Sequence, residues 1–189
     1  MARAKSPLPV PVSPRSSTDA TDEFVELYNR SDAPVDVGGV ELRYFSQGGT
    51  ESPRGTIATG TIIAPHGYLL LVGGGYAGSV AGDPVIPAWS QGFADNGSIA
   101  IRAGATRIDT FGWGSSTAER ETAPFGSSAS AGGTVSFERR ANASSTTASM
   151  STGGADHLAG NGYDSDNNAM DFVARTTREP QSSASPTEP

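Results

Sequence analysis

From Phe24 onward no stretch of the chain holds a helical period, and short β-prone runs alternate with clusters of Gly, Pro, Asn, Asp and Ser. That rhythm confines the fold to the all-β class, as a sandwich or a barrel, because each run is long enough for one strand and each cluster can end it in a turn. The runs predict strands near residues 23–29, 40–45, 55–57, 68–72, 98–102, 107–111 and 134–139. Ala103-Gly104-Ala105 links two of them as a hairpin, since its Gly tolerates positive φ. Nothing repeats at a fixed spacing, which argues against a solenoid or propeller.

Alternation within the runs assigns faces. Val135 and Phe137 should point inward, with Thr134, Ser136 and Glu138 toward water. Ile99 and Ile101 alternate in the same way with Ser98, Ala100 and Arg102. Residues 68–72 are apolar throughout, which predicts a central strand buried on both sides. The expected core is Phe24, Leu27, Leu42, Leu70, Ile99, Ile101, Ile108 and Phe137.

The chain has 189 residues, enough for one sizeable core, yet 24 Gly and 13 Pro consign much of it to loops. Residues 1–21 read as a Pro-rich arm or linker, 22–175 as the domain, and 176–189 as a Ser/Pro-rich tail whose last nine residues lie outside the fold. Two long stretches inside the domain, 115–133 and 141–162, are Gly/Ser/Ala/Thr-rich loops. A net charge of −7 repels phosphate backbones and makes nucleic acid an unfavoured partner. Arg102, Arg107, Arg139 and Arg140 lie in strand-like segments and could form a local basic patch, but charge interspersed on a solvated sheet face is the commoner outcome and the one expected. The absence of Cys excludes disulfides, thiol nucleophiles and Cys-ligated metals. No long apolar run or signal-peptide core is present, so the chain is expected to be soluble, with no membrane insertion and no export signal.

Several ordered segments carry a family likeness. Asp22-Glu23-Phe24-Val25-Glu26-Leu27-Tyr28-Asn29-Arg30-Ser31 is followed by Pro34-Val35-Asp36-Val37-Gly38-Gly39-Val40, then by residues 62–72, 96–113 and 135–140. Asp164-Ser165-Asp166-Asn167-Asn168-Ala169-Met170-Asp171-Phe172 closes the series. The series resembles the lamin-tail domain, and the closing motif resembles its bacterial form. The resemblance implies an immunoglobulin-like β-sandwich that binds or scaffolds rather than catalyses, at a bacterial surface or outside the cell. Bacterial members carry a strand before the Phe-Val-Glu-Leu-Tyr run. Here prolines restrict Leu8-Pro9-Val10-Pro11-Val12 to an irregular edge strand.

Motifs that could carry chemistry are few. Gly73-Gly74-Gly75-Tyr76-Ala77-Gly78 matches a dinucleotide-loop pattern, but the next residues, Ser79 to Pro84, cannot supply the long helix that would hold pyrophosphate, so it reads as a loop. Asp164, Asp166, Asn168 and Asp171 bring oxygen ligands close together, as a calcium site would. Ala169 and Arg175 depart from an EF-hand, and the same side chains could instead bond backbone amides and fix a turn before a final strand. Calcium is therefore the one cofactor in view. His66 and His157 lie in turn-like or polar segments without metal or triad spacing. Glu26 and Asp109 form a conceivable acid/base pair, although the outward side of a pleat explains each. Trp89, Phe93, Phe111 and Trp113 suit either plugs at the end of the sandwich or platforms for a partner.

The resemblance implies a non-catalytic structural or binding module whose partner is a protein or a surface polymer, and the pattern of strands and long loops supplies the scaffold for docking at a sheet edge or the loops. Alternatives are an accessory domain of a secreted nuclease or phosphatase and a calcium-dependent adhesion or assembly module.

Overall fold

The computed structural model describes residues 12–130 and 132–189. Among them the chain runs β1 (Val12–Ser13), β2 (Phe24–Tyr28), β3 (Val35–Asp36), β4 (Glu41–Ser46), β5 (Glu51–Thr56), β6 (Ile62–Ile63), β7 (Tyr68–Val72), β8 (Gly97–Ala103), β9 (Thr106–Trp113), β10 (Ser136–Arg139), α1 (Thr147–Met150), α2 (Asn168–Asp171) and β11 (Phe172–Arg175). A five-stranded sheet in the order β11-β10-β1-β2-β7 packs against a four-stranded sheet, β5-β4-β8-β9, and β3 pairs with β6 beside them. Every paired strand is antiparallel. The architecture is an immunoglobulin-like β-sandwich.

Alternation builds the interior. Val25 and Leu27 of β2 sit beside Leu71 and Leu69 of β7. Together with Phe137 they meet Leu42, Tyr44, Ile99, Ile101, Phe111 and Trp113 of the opposite sheet. Phe111 and Trp113 stack with ring centroids 5.7 Å apart, and Trp89 stacks on Phe93 at 5.5 Å. All four rings are buried, so they plug the sandwich and offer no exposed platform.

Phe24, Glu26 and Tyr28 of β2 and Tyr68 and Leu70 of β7 are buried as well, on the outer face of the five-stranded sheet, and Val72 is half-buried there. Their cover is the C-terminal segment, and here the expectation of a tail outside the fold is corrected. The Arg178 guanidinium clasps Asp22 at 2.6 Å, the Gln181 amide donates to Glu26 at 2.7 Å, and the Tyr68 hydroxyl donates to Glu188 at 2.7 Å. Ser98, Ala100 and Ser136 are likewise buried rather than facing water: Ser136 donates to the Thr177 carbonyl, and on the four-stranded sheet the Ser116 hydroxyl of the loop after β9 reaches Ser98. Ile108, near the open start of β9, is only half-buried.

The first strand differs too. Val12 pairs with Val25 on one side and Phe137 on the other, so β1 lies inside the sheet rather than at its edge. Its register is held by the Ser13 hydroxyl, which donates to the Val135 carbonyl at 2.8 Å. Leu8 to Pro11, the rest of the predicted irregular strand, fall outside the described residues.

Sheet edges are closed by local devices. Leu70 on β7 exchanges two bonds with Asp83, its amide donating to the carboxylate at 2.7 Å and its carbonyl accepting from the Asp83 amide at 2.8 Å. On β11 the Thr147 hydroxyl donates to the Ala174 carbonyl. Along β9, Gly112 and Gly114 bond Phe125. At the β5 edge stand Pro53, which has no N–H to offer, and a bulge opposite Leu42 and Arg43.

Candidate functional site: a buried arginine ringed by carboxylates

Arg139 and Asp109 share the inward phase of their strands with Phe137 and Phe111, so two opposite charges meet inside the sandwich. Both side chains are essentially inaccessible, and the guanidinium reaches Asp109 Oδ2 at 2.9 Å. Asp171 lies at 3.4 Å, while Glu121 and Asp164 lie at 3.8 Å. The guanidinium carbon sits 4.6 Å from the centre of the Phe172 ring, an additional cation–π contact. The expectation that Arg139 lies on a solvated face is therefore corrected, because its strand phase faces the other sheet.

One guanidinium cannot neutralise four nearby carboxylates. Burial raises Asp109 above the ordinary carboxylate range, against the pull of Arg139. Burial and repulsion from Asp109 push Glu121 up to about 9. A proton shared between these two acids at neutral pH removes one charge from the cluster. For Arg139 itself, burial opposes the charge, but Asp109, Glu121, Asp164 and Asp171 more than offset it and hold the guanidinium above its usual value.

The predicted oxygen-rich run does not converge as a set. Asn168 is fully buried and turned into the fold. Its carbonyl oxygen accepts from the Gly112 and Glu121 amides at 3.0 Å each, and its amide nitrogen donates to the Thr110 carbonyl and to Glu121 at 3.0 Å. Asp171 accepts from the Ser165 amide and hydroxyl and from the Asn167 amide, in addition to facing Arg139. Asp164 accepts from the Asp166 amide at 3.0 Å, the side-chain-to-backbone bond of an Asx turn, and Asp166 adopts φ 59° there. Asp164 and exposed Asp166 do come together, but with Glu121: one carboxylate oxygen from each lies within 4.8 Å of the others. These three are the residues that could contribute to a cation site. Asp164 is already within 3.8 Å of both Arg139 and Arg30, which lowers its need for another cation.

Glu26 and Asp109 are on different sheets, so the imagined acid/base pair does not form; Glu26 does take the outward side of its pleat, though under cover, whereas Asp109 points inward. His66, in a turn at φ 54°, contacts exposed Asp32 at 2.9 Å. The triglycine loop packs on Trp89, whose carbonyl accepts from the Gly74 amide at 2.8 Å. Sequence reasoning missed Arg139 and Glu121. The available signal for Arg139 was an arginine in phase with Phe137, answered by an aspartate in phase with Phe111.

The strand order from β1 through β9, with its Phe-Val-Glu-Leu-Tyr strand held between β1 and β7, coincides with a match to the Lamin Tail Domain family model over residues 10–115. The chain belongs to the lamin tail domain family. Within this lamin tail domain, Asp109 lies inside the matched span, whereas Glu121, Arg139 and the closing run lie beyond it. The cluster thus ties the matched part to β10, α2 and β11. No curated protein matches the chain.

Proposed function

We propose that this lamin tail domain is a non-catalytic module of an extracellular or surface-displayed bacterial protein, and that it docks a protein or surface polymer through its loops. Family membership supports an interaction role in general. The bacterial and extracytoplasmic parts rest on the closing motif's resemblance. The observation that carries loop docking is the closure of the β7 edge by Asp83, together with Thr147 on β11 and the Phe125 bonds on β9. Strand addition would have to break those bonds before making new ones. The loops expose Leu158 and, at α2, Met170, apolar side chains available for contact. Among the described residues no helix is long and apolar enough to cross a membrane.

Binding of the purified chain to envelope proteins and wall polymers from the native host tests this reading. Leu158→Ser and Met170→Ser should weaken binding, whereas Asp83→Ala, which opens the β7 edge, should not strengthen it. Enhanced binding by Asp83→Ala would favour edge addition, and hydrolysis of phosphodiester or phosphomonoester substrates by the chain would overturn the non-catalytic reading. A calcium-dependent form of the same role rests on Glu121, Asp164 and Asp166.

A further inference from the structure

The outer face of the five-stranded sheet carries Glu26, with Leu70 beside it on β7 and the Tyr28–Tyr68 pair next along the strands. The two tyrosine rings lie 5.0 Å apart. The Glu26 carboxylate is buried, and its hydrogen-bond partners are neutral: the Gln181 amide at 2.7 Å and the Asn161 side chain at 3.4 Å. No ion pair reaches Glu26 among the described residues. The segment above it adds a second buried carboxylate, Glu188, held by the Tyr68 hydroxyl, the Gly160 amide and the Gln181 side chain. The Glu188 carbonyl accepts from Tyr28 at 2.5 Å, and its amide donates to the His66 carbonyl at 2.9 Å.

We propose that residues 179–189 are a pH-gated strap, closed over the Glu26–Tyr28–Tyr68 groove in mildly acidic conditions and released as conditions turn alkaline. The groups facing Glu26 are Glu138 from β10, Tyr68 from β7, Tyr76 from the loop after β7, and Glu188 from the strap itself. None is a cation at neutral pH. Arg175 on β11 is spent on Glu138 and Glu179, and Arg178 on Asp22. Closing the strap therefore gathers like charges under cover, and a proton on Glu26 removes one of them.

Burial, reinforced by Glu138 and Glu188, raises Glu26 well above the ordinary range, while burial raises Glu138 to about 7 against the pull of Arg175. The sign follows directly. A carboxyl raised in the closed state favours closure below its open-state value and loses that advantage as pH rises through its closed-state value. Each such proton changes the closed-to-open ratio by up to about tenfold per pH unit. The Arg178–Asp22 clasp does not depend on that proton, so it can serve as the hinge from which the rest lifts.

Hydrogen exchange of the full chain between pH 5.5 and 8.5, corrected for intrinsic chemistry, tests the gate. Protection of the amides at 181–188 should fall at least about tenfold across that range while β8 keeps its protection. Glu26→Gln, which removes the charge and keeps the shape, should hold the strap closed throughout. Glu138→Gln should move release to higher pH by a smaller amount. Unchanged strap protection in the wild type, loss in step with β8, or the wild-type pH profile in both variants would overturn the proposal.

Discussion

Replacing Asn168 by Ala should destabilise the domain by about 3–5 kcal/mol. The side chain makes four hydrogen bonds, each 3.0 Å long, to Gly112, Thr110, the Glu121 amide and the Glu121 carboxylate. Truncation orphans the Gly112 N–H and the Thr110 carbonyl in the interior, at about 1–3 kcal/mol each. The Glu121 groups, being nearer the surface, can recover water and contribute less. The expected loss is a large fraction of the roughly 5–15 kcal/mol by which a domain is stable. Urea unfolding followed by the fluorescence of buried Trp89 and Trp113 measures it. Asn168→Asp sharpens the test, because it keeps the acceptor, removes both donors and sets a charge beside Glu121. It should be worse than Ala at pH 8 and recover toward pH 5, where the new carboxyl can hold a proton and donate it. A cost below about 1 kcal/mol for the Ala variant would refute the structural role given to this side chain.

Global stability should be greatest in mildly acidic solution. Glu23 and Glu138 are raised to about 7 and Glu121 to about 9, burial being the main cause, so the native state holds protons that the unfolded chain has released. Between pH 5 and 9 the unfolding free energy should fall as pH rises, by up to about 1.4 kcal/mol per pH unit for each group in its window, carrying the urea midpoint down with it, and a rising midpoint would contradict this. Calcium in millimolar excess should leave the melting temperature where chelator leaves it, whereas Asp166→Ala should lower stability by about 0.5–2 kcal/mol through the lost turn. A wild-type melting temperature that climbs with calcium, and stops climbing in that variant, would establish the cation site instead. Leu70→Ala should cost about 2–5 kcal/mol although Leu70 lies on the outer face of its sheet, and an unchanged unfolding midpoint would mean the strap covers that face loosely.

Residues 68–72 show where legibility began and ended. Their unbroken apolar run announced a central strand buried on both sides; β7 is covered on both faces but stands at the edge of its sheet, where Asp83 rather than a further strand takes its free backbone groups. What covers the second side was not legible, because the strap holds on through backbone groups and scattered polar side chains such as Gln181 and Glu188, which leave no periodic trace in a Ser/Pro-rich segment. The closing run was visible as a cluster of oxygens. Its partners Asp109, Glu121 and Arg139 are distant along the chain, Arg139 lying 32 residues before Asp171 and Glu121 47 before Asn168, and only sheet packing brings them to it. Alternation therefore determined the all-β class, most strand positions and the inward phase of Ile99, Ile101, Val135 and Phe137, since side-chain direction on a pleat is a local property. Tertiary structure decided that β1 sits inside a sheet, that Glu26 and Arg139 are buried, and that the last residues are part of the fold, because each of these depends on which distant surface closes over a face.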